Sequence, residues 1–332
     1  MMLRCAILLG AVALPAEPLV TGFERFHAAT PTAEGGRLLY NELGCVNCHG
    51  GETGLPALGG PALATVTQRV RSEWLRKFVA DPASTHPGTV MPQVLAKADE
   101  KTLVAIEHYL ASLKSKAAAN APARIMHVNG RRGGELFNTL GCVACHAPQA
   151  DYTPPEGRPA PGDFGYGAAV FPVLAEKYDV GTLAAFVRDP LASRPDGRMP
   201  RIEMEEQDAR DIAAYLLGIT GSDGEAVPRL PSFTPDAALA KRGREIVTAA
   251  RCAVCHTLPS VPASQPLTLR RTTGGCVDET PAPGLPRYAL SPAQRTALRA
   301  YLAGFDDEAW RIDGASFQSL LAEDAAGAPA RA

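Results

Sequence analysis

Apolar residues recur at three- and four-residue steps along most of the chain, which is the spacing of amphipathic helices. The same order of segments returns three times: a helix that opens with Gly, a short cysteine-containing segment, a loop rich in Pro and Gly, and a closing helix. The closing helices end in Tyr109-Leu110, Tyr215-Leu216 and Tyr301-Leu302. The chain has no sustained period-two alternation flanked by hairpin turns, the signal of strands. The pattern predicts an all-α fold made of three repeats.

We place the repeats at residues 33–113, 129–219 and 238–304. The stretches between them are rich in Ala and Lys, or in Gly, Pro and Ser, as is typical of linkers. In the first two repeats a second helix runs into Asp-Pro, and Pro is expected to end it there. Residues 305–332 lie beyond the third repeat, and we expect this tail to be frayed.

The first 16 residues have the features of an export signal. Arg4 precedes a short apolar stretch, and small Ala residues that suit cleavage follow it. The stretch is shorter than the roughly 20 residues of a membrane span. No later segment is long and apolar enough either, so we expect an exported, periplasmic protein without an integral span in its mature chain.

The overall composition adds little to this prediction. The 332 residues carry a formal charge of −2, with 20% charged and 46% hydrophobic residues. This balance gives no basis for nucleic-acid binding.

Each cysteine-containing segment has the sequence Cys-x-x-Cys-His, the attachment signature of c-type haem. In this signature two sulfurs form thioethers to the haem and the His binds iron. A zinc site would need a second Cys or His pair nearby, and a thioredoxin-like motif would need a βαβ setting. We therefore predict three covalently bound haem c groups. The motifs are Cys45-Val-Asn-Cys48-His49, Cys142-Val-Ala-Cys145-His146 and Cys252-Ala-Val-Cys255-His256.

With these motifs, each repeat resembles a class I cytochrome c domain. Such a domain has an N-terminal helix, the Cys-x-x-Cys-His motif, a Pro-containing loop, a Met-Pro loop and a C-terminal helix that crosses the first. The resemblance covers most of the mature chain. It implies three small helical domains, each built around its own haem, which supplies apolar bulk that so small a core lacks.

The Met-Pro loops of the first two repeats supply the candidate distal iron ligands. Asp81 to Pro92 aligns without a gap with Asp189 to Pro200, which makes Met91 and Met199 equivalent. His86 competes with Met91, but Arg194 fills its place in the second repeat. His/Met ligation occupies both axial positions of the iron, so these two haems are expected to carry electrons only.

The third repeat departs from this rule, because Leu285 stands where Met is expected and no Met or His follows His256. Its iron could be ligated by Cys276, the one mature cysteine outside the motifs, or could remain open or water-bound. The remaining candidates are Tyr288 or a Lys such as Lys241 in the same repeat, or a ligand from elsewhere in the chain: Met126, His127 or Met204.

Two classes of function follow. We expect an electron carrier that passes single electrons between redox partner proteins, alone or as a subunit of a larger oxidoreductase. The alternative is a haem peroxidase or small-molecule reductase with the third haem as its active site. A peroxidase would need a His or Glu as acid/base group near the open iron, and the third repeat has no His besides His256. Its acids Asp278 and Glu279 follow Cys276 closely and are expected to lie in a solvated loop, so we assign no catalytic residue. A cytochrome subunit of an alcohol-dehydrogenase-type complex is a third, weaker hypothesis.

Overall fold

A computed structural model of the chain describes residues 17–49, 55, 58–113, 127–146, 171, 173–219, 230, 233–259, 261, 275–282 and 284–304. The predicted export signal, the tail from residue 305 onward and Met126 lie outside these ranges.

The described residues form helices and no strand. Two motif segments are 3₁₀ turns, Cys142–Ala144 and Cys252–Val254. The α-helices are α1 Thr21–Phe26, α2 Ala33–Glu42, α3 Cys45–His49, α4 Val66–Arg69, α5 Ser72–Ala80, α6 Pro82–Thr85, α7 Glu100–Ser112, α8 Gly130–Thr139, α9 Leu174–Lys177, α10 Val180–Arg188, α11 Pro190–Ser193, α12 Glu206–Leu216, α13 Ala237–Ala249 and α14 Pro292–Leu302. The all-α prediction is confirmed. None of the described helices is long and apolar enough to cross a membrane.

Short polar side chains set the boundaries of these helices. Asp99 caps α7 by accepting a hydrogen bond from the Thr102 amide at 2.8 Å, as N-cap carboxylates do. The α5 and α10 helices end before Asp81 and Asp189, and each of these carboxylates then caps the next short helix. The Asp-Pro pairs therefore end the second helices as predicted.

The second repeat pairs its own first and last helices. The α8 helix crosses α12, as the resemblance implied. At the crossing, a Cβ on Gly133 would lie 1.9 Å from the carbonyl oxygen of Asp211. Only a residue without a side chain permits this approach, so glycine is required here inside the helix, three residues after its start, and not at its opening as the sequence pattern predicted.

The first and third repeats exchange these partners. The α2 helix of the first repeat packs on α14 of the third, and α13 of the third packs on α7 of the first. A Cβ on Gly36 would lie 2.0 Å from the Ala297 carbonyl oxygen, and one on Gly243 would lie 2.0 Å from that of Ala105. The expectation that each closing helix crosses the first helix of its own repeat therefore holds for the second repeat only. The exchange is sterically possible because all three crossings pair a Gly with a closing helix of the same kind.

The hydrophobic cores follow the exchanged pairing. A large cluster joins the second repeat to Ile106 and Tyr109 of the first and to Val247 and Leu258 of the third. A separate, smaller cluster joins the N-terminal helices to α14 and the residues before it. Its buried members are Val20, Phe23, Leu39, Tyr40, Leu43, Leu290, Ala297 and Leu298.

Candidate haem sites

Each Cys-x-x-Cys-His motif follows its helix through a single residue in the left-handed backbone region. This residue is Gly44, Gly141 or Arg251, with φ of 72°, 89° and 54°. Such a φ turns the chain sharply, so that the motif folds back beside the helix. The sequence reasoning did not use this position, although Gly before the first Cys is a visible signal in two of the three motifs.

The motif thiols are held in surroundings that suit neutral sulfur. Burial raises the pKa of Cys48 and of Cys252 to about 12, and it raises the pKa of Cys45 as well. The seven described cysteines form no disulfide. Cys145 is exposed, and the other motif cysteines are partly covered. Unpaired sulfurs at this spacing fit thioether attachment of a haem.

The loop after the first motif wraps the third motif. The Nδ1 atom of His256 lies 2.9 Å from the carbonyl oxygen of Pro61. A hydrogen bond donated by Nδ1 leaves Nε2 with the lone pair that binds a metal. Burial also lowers the pKa of His256, which favours the neutral imidazole. A residue of the first repeat, Pro61, therefore orients His256 so that its Nε2 atom is available to a metal.

Two backbone hydrogen bonds extend the same contact. The Gly60 amide donates to the Cys255 carbonyl at 2.6 Å, and the Leu63 amide donates to the Thr257 carbonyl at 3.2 Å. A Cβ on Gly60 would lie 2.5 Å from the His256 ring. Residues 60–63 of the first repeat thus form one side of the third motif's surroundings.

The first motif lies against residues of the third repeat. The Tyr288 hydroxyl donates to the Leu43 carbonyl at 3.1 Å. Burial and the nearby Cys276 raise the pKa of Cys45. The structure thus brings Cys276 beside the first motif, whereas the sequence reasoning considered it for the third haem. Leu285 is buried in the same repeat.

The first and third motifs also contact each other. The Asn47 side-chain amide lies 3.9 Å from the Cys255 sulfur and donates to the Leu58 carbonyl at 2.8 Å. Two of the predicted attachment points, Cys48 and Cys255, are close enough that Cys255 contributes, after burial, to the raised pKa of Cys48.

The second motif has surroundings from its own repeat. The His146 ring stacks on Phe171, with centroids 4.6 Å apart.

The loop that carries Met199 contacts residues on either side of the first motif. Asp196 accepts a hydrogen bond from the Gly59 amide at 2.9 Å, and Arg198 pairs with Glu42.

The Met91-Pro92 loop and the Leu285-Pro286 loop lie side by side. Gln93 and Arg287 exchange two backbone hydrogen bonds of 2.9 Å, which form an isolated antiparallel bridge. The bridge joins the Met91-Pro92 loop to the Leu285-Pro286 loop. The two segments that align in sequence therefore also meet in space.

Comparison with known proteins identifies the family. A sequence model of the family described as cytochrome c matches residues 33–114 and again residues 130–220, together more than half of the chain. The chain belongs to the cytochrome c family. No curated protein and no solved structure gives a significant match. The cytochrome c domains imply covalently bound haem c and electron transfer by a haem protein.

A cluster of cations in this cytochrome c fits the carboxylates of a haem. Lys177, Arg69 and Arg194 meet where the first two repeats pack. Burial and the charges of Arg194 and Arg69 lower the pKa of Lys177 to about 7. Its ammonium group also lies over the Trp74 ring, 4.4 Å from the centroid. Lys177 is buried, Arg69 is half-buried and Arg194 is exposed. A buried cation is stabilised when an anion joins it, and the haem propionates would supply that anion.

The described residues contain no group of three or more His, Cys, Asp or Glu side chains arranged to hold a metal ion. His49, Met91 and Met199 are each half-buried or partly covered. Their roles as iron ligands, and that of Cys276, stay predictions.

Proposed function

We propose that this cytochrome c is an exported tri-haem protein that passes single electrons between redox partner proteins, with the haems attached at all three motifs. Haem bound at these motifs would supply the one-electron chemistry. The protein holds the haems, sets their potentials through the axial ligands and excludes water.

The contact between the first and third motifs carries the proposal. With Asn47 3.9 Å from the Cys255 sulfur, haems attached at the two motifs would be anchored side by side. The Met199 loop borders the same region through the Gly59 amide. Three haems attached within one compact unit suit a relay of electrons along the chain.

A third haem is supported by residues outside the family match. The motif at Cys252, Cys255 and His256 is complete, and it follows a left-handed residue as the other two motifs do. The 2.9 Å contact of His256 with the Pro61 carbonyl presents its other nitrogen for iron. These features support the proposal of a third haem.

An electron carrier is favoured over a haem enzyme by the ion pair of Asp278. Its carboxylate accepts a hydrogen bond from Arg299 at 2.7 Å, so one of the two acids that follow Cys276 is engaged in a structural contact. Periplasmic location, and use as a subunit of a larger oxidoreductase, belong to the same proposal.

Intact mass under denaturing conditions tests the haem count. The exported wild type should exceed its processed polypeptide by three haems, and Cys252→Ser with Cys255→Ser should exceed it by two. Two haems in the wild type, made with a competent maturation system, would contradict the proposal. The same mass gives the cleavage site and so tests the export signal.

Carrier and enzyme are then separated by turnover. The holoprotein should exchange electrons with small redox proteins and show no turnover with peroxide or nitrogen oxides. Sustained reduction of either substrate would replace the carrier proposal by the enzyme alternative.

A further inference from the structure

The partner exchange between the first and third repeats determines which residues surround which haem. At the third motif, the Nδ1 atom of His256, opposite the Nε2 atom that would bind iron, contacts the Pro61 carbonyl, and the Cys255 and Thr257 carbonyls accept hydrogen bonds from Gly60 and Leu63. These neighbours belong to the loop that follows the first motif, not to the residues that follow the third.

The helical frame around the third motif also comes from the first repeat. The α13 helix, which leads into this motif, packs on α7 through Gly243. Val247 and Leu258 share a hydrophobic cluster with Trp74 and Ile106. The third motif thus lies against residues 60–63 and, through α13, against α7, which belong to the same repeat as Met91.

The Met91 loop is attached to this frame on the side that follows Met91. The Gln93 side-chain amide donates to the Ala80 carbonyl at the end of α5, at 2.8 Å. Glu100 begins α7 only nine positions after Met91. Met91 is therefore tethered to α5 and α7, and the backbone bridge between Gln93 and Arg287 lies where its loop borders the other unit.

The complementary unit contains the first motif and the end of the third repeat. The α2 helix leads into Cys45 and packs on α14 through Gly36. Tyr288 donates to the Leu43 carbonyl. The loop of Leu285 precedes α14 in this unit, as the Met91 loop precedes α7 in the other.

We propose that the two haem pockets are composite: Met91 ligates the iron held by His256, and the haem attached at Cys45 and Cys48 is enclosed by residues 275–304. This proposal rests on the proposed three-haem function. It assigns the pocket that lacks a methionine to His49 in place of His256, with Cys276 beside it.

A double-mutant cycle on the near-infrared Met-to-iron charge-transfer band tests the assignment. In the wild type, Met91→Leu should remove one share of the band, which is the absorbance contributed by one Met-ligated haem. In the Cys45→Ser/Cys48→Ser background it should still remove that share. In the Cys252→Ser/Cys255→Ser background it should remove nothing, because the iron that Met91 ligates is already missing. The His146 haem is present in every variant and provides the internal reference.

The reverse dependence would overturn the proposal. If the Met91 share of the band disappears with Cys45 and Cys48 and survives loss of Cys252 and Cys255, ligation occurs within the repeat. A wild-type band that does not respond to Met91→Leu also overturns it. Both results leave the three-haem mass intact, whereas failure of the proposed function would appear as a mass of two haems or fewer.

A measurement on the intact protein covers the case in which a serine variant does not fold. With methionine methyl groups labelled with ¹³C, the ferrous wild type should show an upfield ligand methyl that Met91→Leu removes. Its nuclear Overhauser contacts should lead to the haem joined to Cys252 and Cys255. Contacts to the haem joined to Cys45 and Cys48 would refute the composite pocket.

Discussion

The crossing of α8 and α12 can be tested by adding a single methyl group. In Gly133→Ala, the new Cβ would lie 1.9 Å from the Asp211 carbonyl oxygen, against the 3.4 Å at which ordinary contact begins. The oxygen belongs to the backbone of a buried helix and cannot rotate away. The two helices must therefore separate by about 1.5 Å, the difference between these two distances.

The adjacent glycine supplies a matched control. In Gly134→Ala the Cβ would lie 2.9 Å from the Tyr215 ring, and a side chain can move aside. Both substitutions gain about 1 kcal/mol of helix propensity, so this term cancels between them. Overpacking a close-packed core costs about 1–3 kcal/mol, and separation here also loosens Phe137 and Ile212, which are 2% and 1% exposed.

We therefore expect Gly133→Ala to be less stable than Gly134→Ala by about 2 kcal/mol. For a unit the size of the second repeat, residues 129–219, the difference corresponds to roughly 10 °C in Tm. The assay is denaturant and thermal unfolding of the full-length holoprotein, followed by far-ultraviolet circular dichroism and Soret absorbance. Equal stability of the two variants, or greater stability of Gly133→Ala, would refute the close-crossing argument.

Three further predictions concern single side chains. Arg132→Met should lower the free energy of unfolding by about 1–3 kcal/mol, because the buried Asp211 carboxylate, 2.7 Å from Arg132, loses its charged partner. Tyr288→Phe should lower it by about 1 kcal/mol through loss of the hydrogen bond to Leu43. Burial, aided by nearby cations, lowers the pKa of His86 from 6.5 to about 4. The unfolded chain thus binds this proton first, and stability should fall by up to about 3 kcal/mol as the pH drops from 6.5 to 4. His86→Phe should remove this part of the acid sensitivity.

Denaturant unfolding of the holoprotein measures all three effects, the last one at a series of pH values. Arg131→Met is the control for Arg132, since Arg131 is exposed on the same helix. An Arg132 variant no weaker than this control would contradict the ion-pair argument. Unchanged stability of Tyr288→Phe would contradict the contact with Leu43. If His86→Phe loses stability with falling pH as the wild type does, the lowered pKa of His86 is not a cause of the acid sensitivity.

Local structure could be predicted from the sequence because its signals are local. Helical periodicity, the Asp-Pro helix ends and the three motifs each depend on residues within a few positions of one another. The left-handed turn at Arg251 is an exception, since no glycine marks it. The helix ends at Asp81 and Asp189 occur where the pattern placed them.

The pairing of the helices could not be predicted in this way. Gly36 and Gly243 carry the same signal, and Tyr301 and Tyr109 offer equivalent surfaces to them. A repeated sequence specifies which kinds of helix fit together but not which copies meet. The same applies to the cation cluster, since Lys177 and Arg69 come from different repeats.

The pairing of α2 with α14 has a consequence for how the chain is made. The α2 helix ends at residue 42, and its partner α14 begins at residue 292, roughly 250 residues later. A polypeptide that emerges N-terminus first makes the native partner of α2 only when synthesis is nearly finished, and contacts between such distant segments form slowly. Until then α7, which offers an equivalent surface, is a closing helix available to α2. The native pairing of α2 therefore depends on almost the whole polypeptide being present.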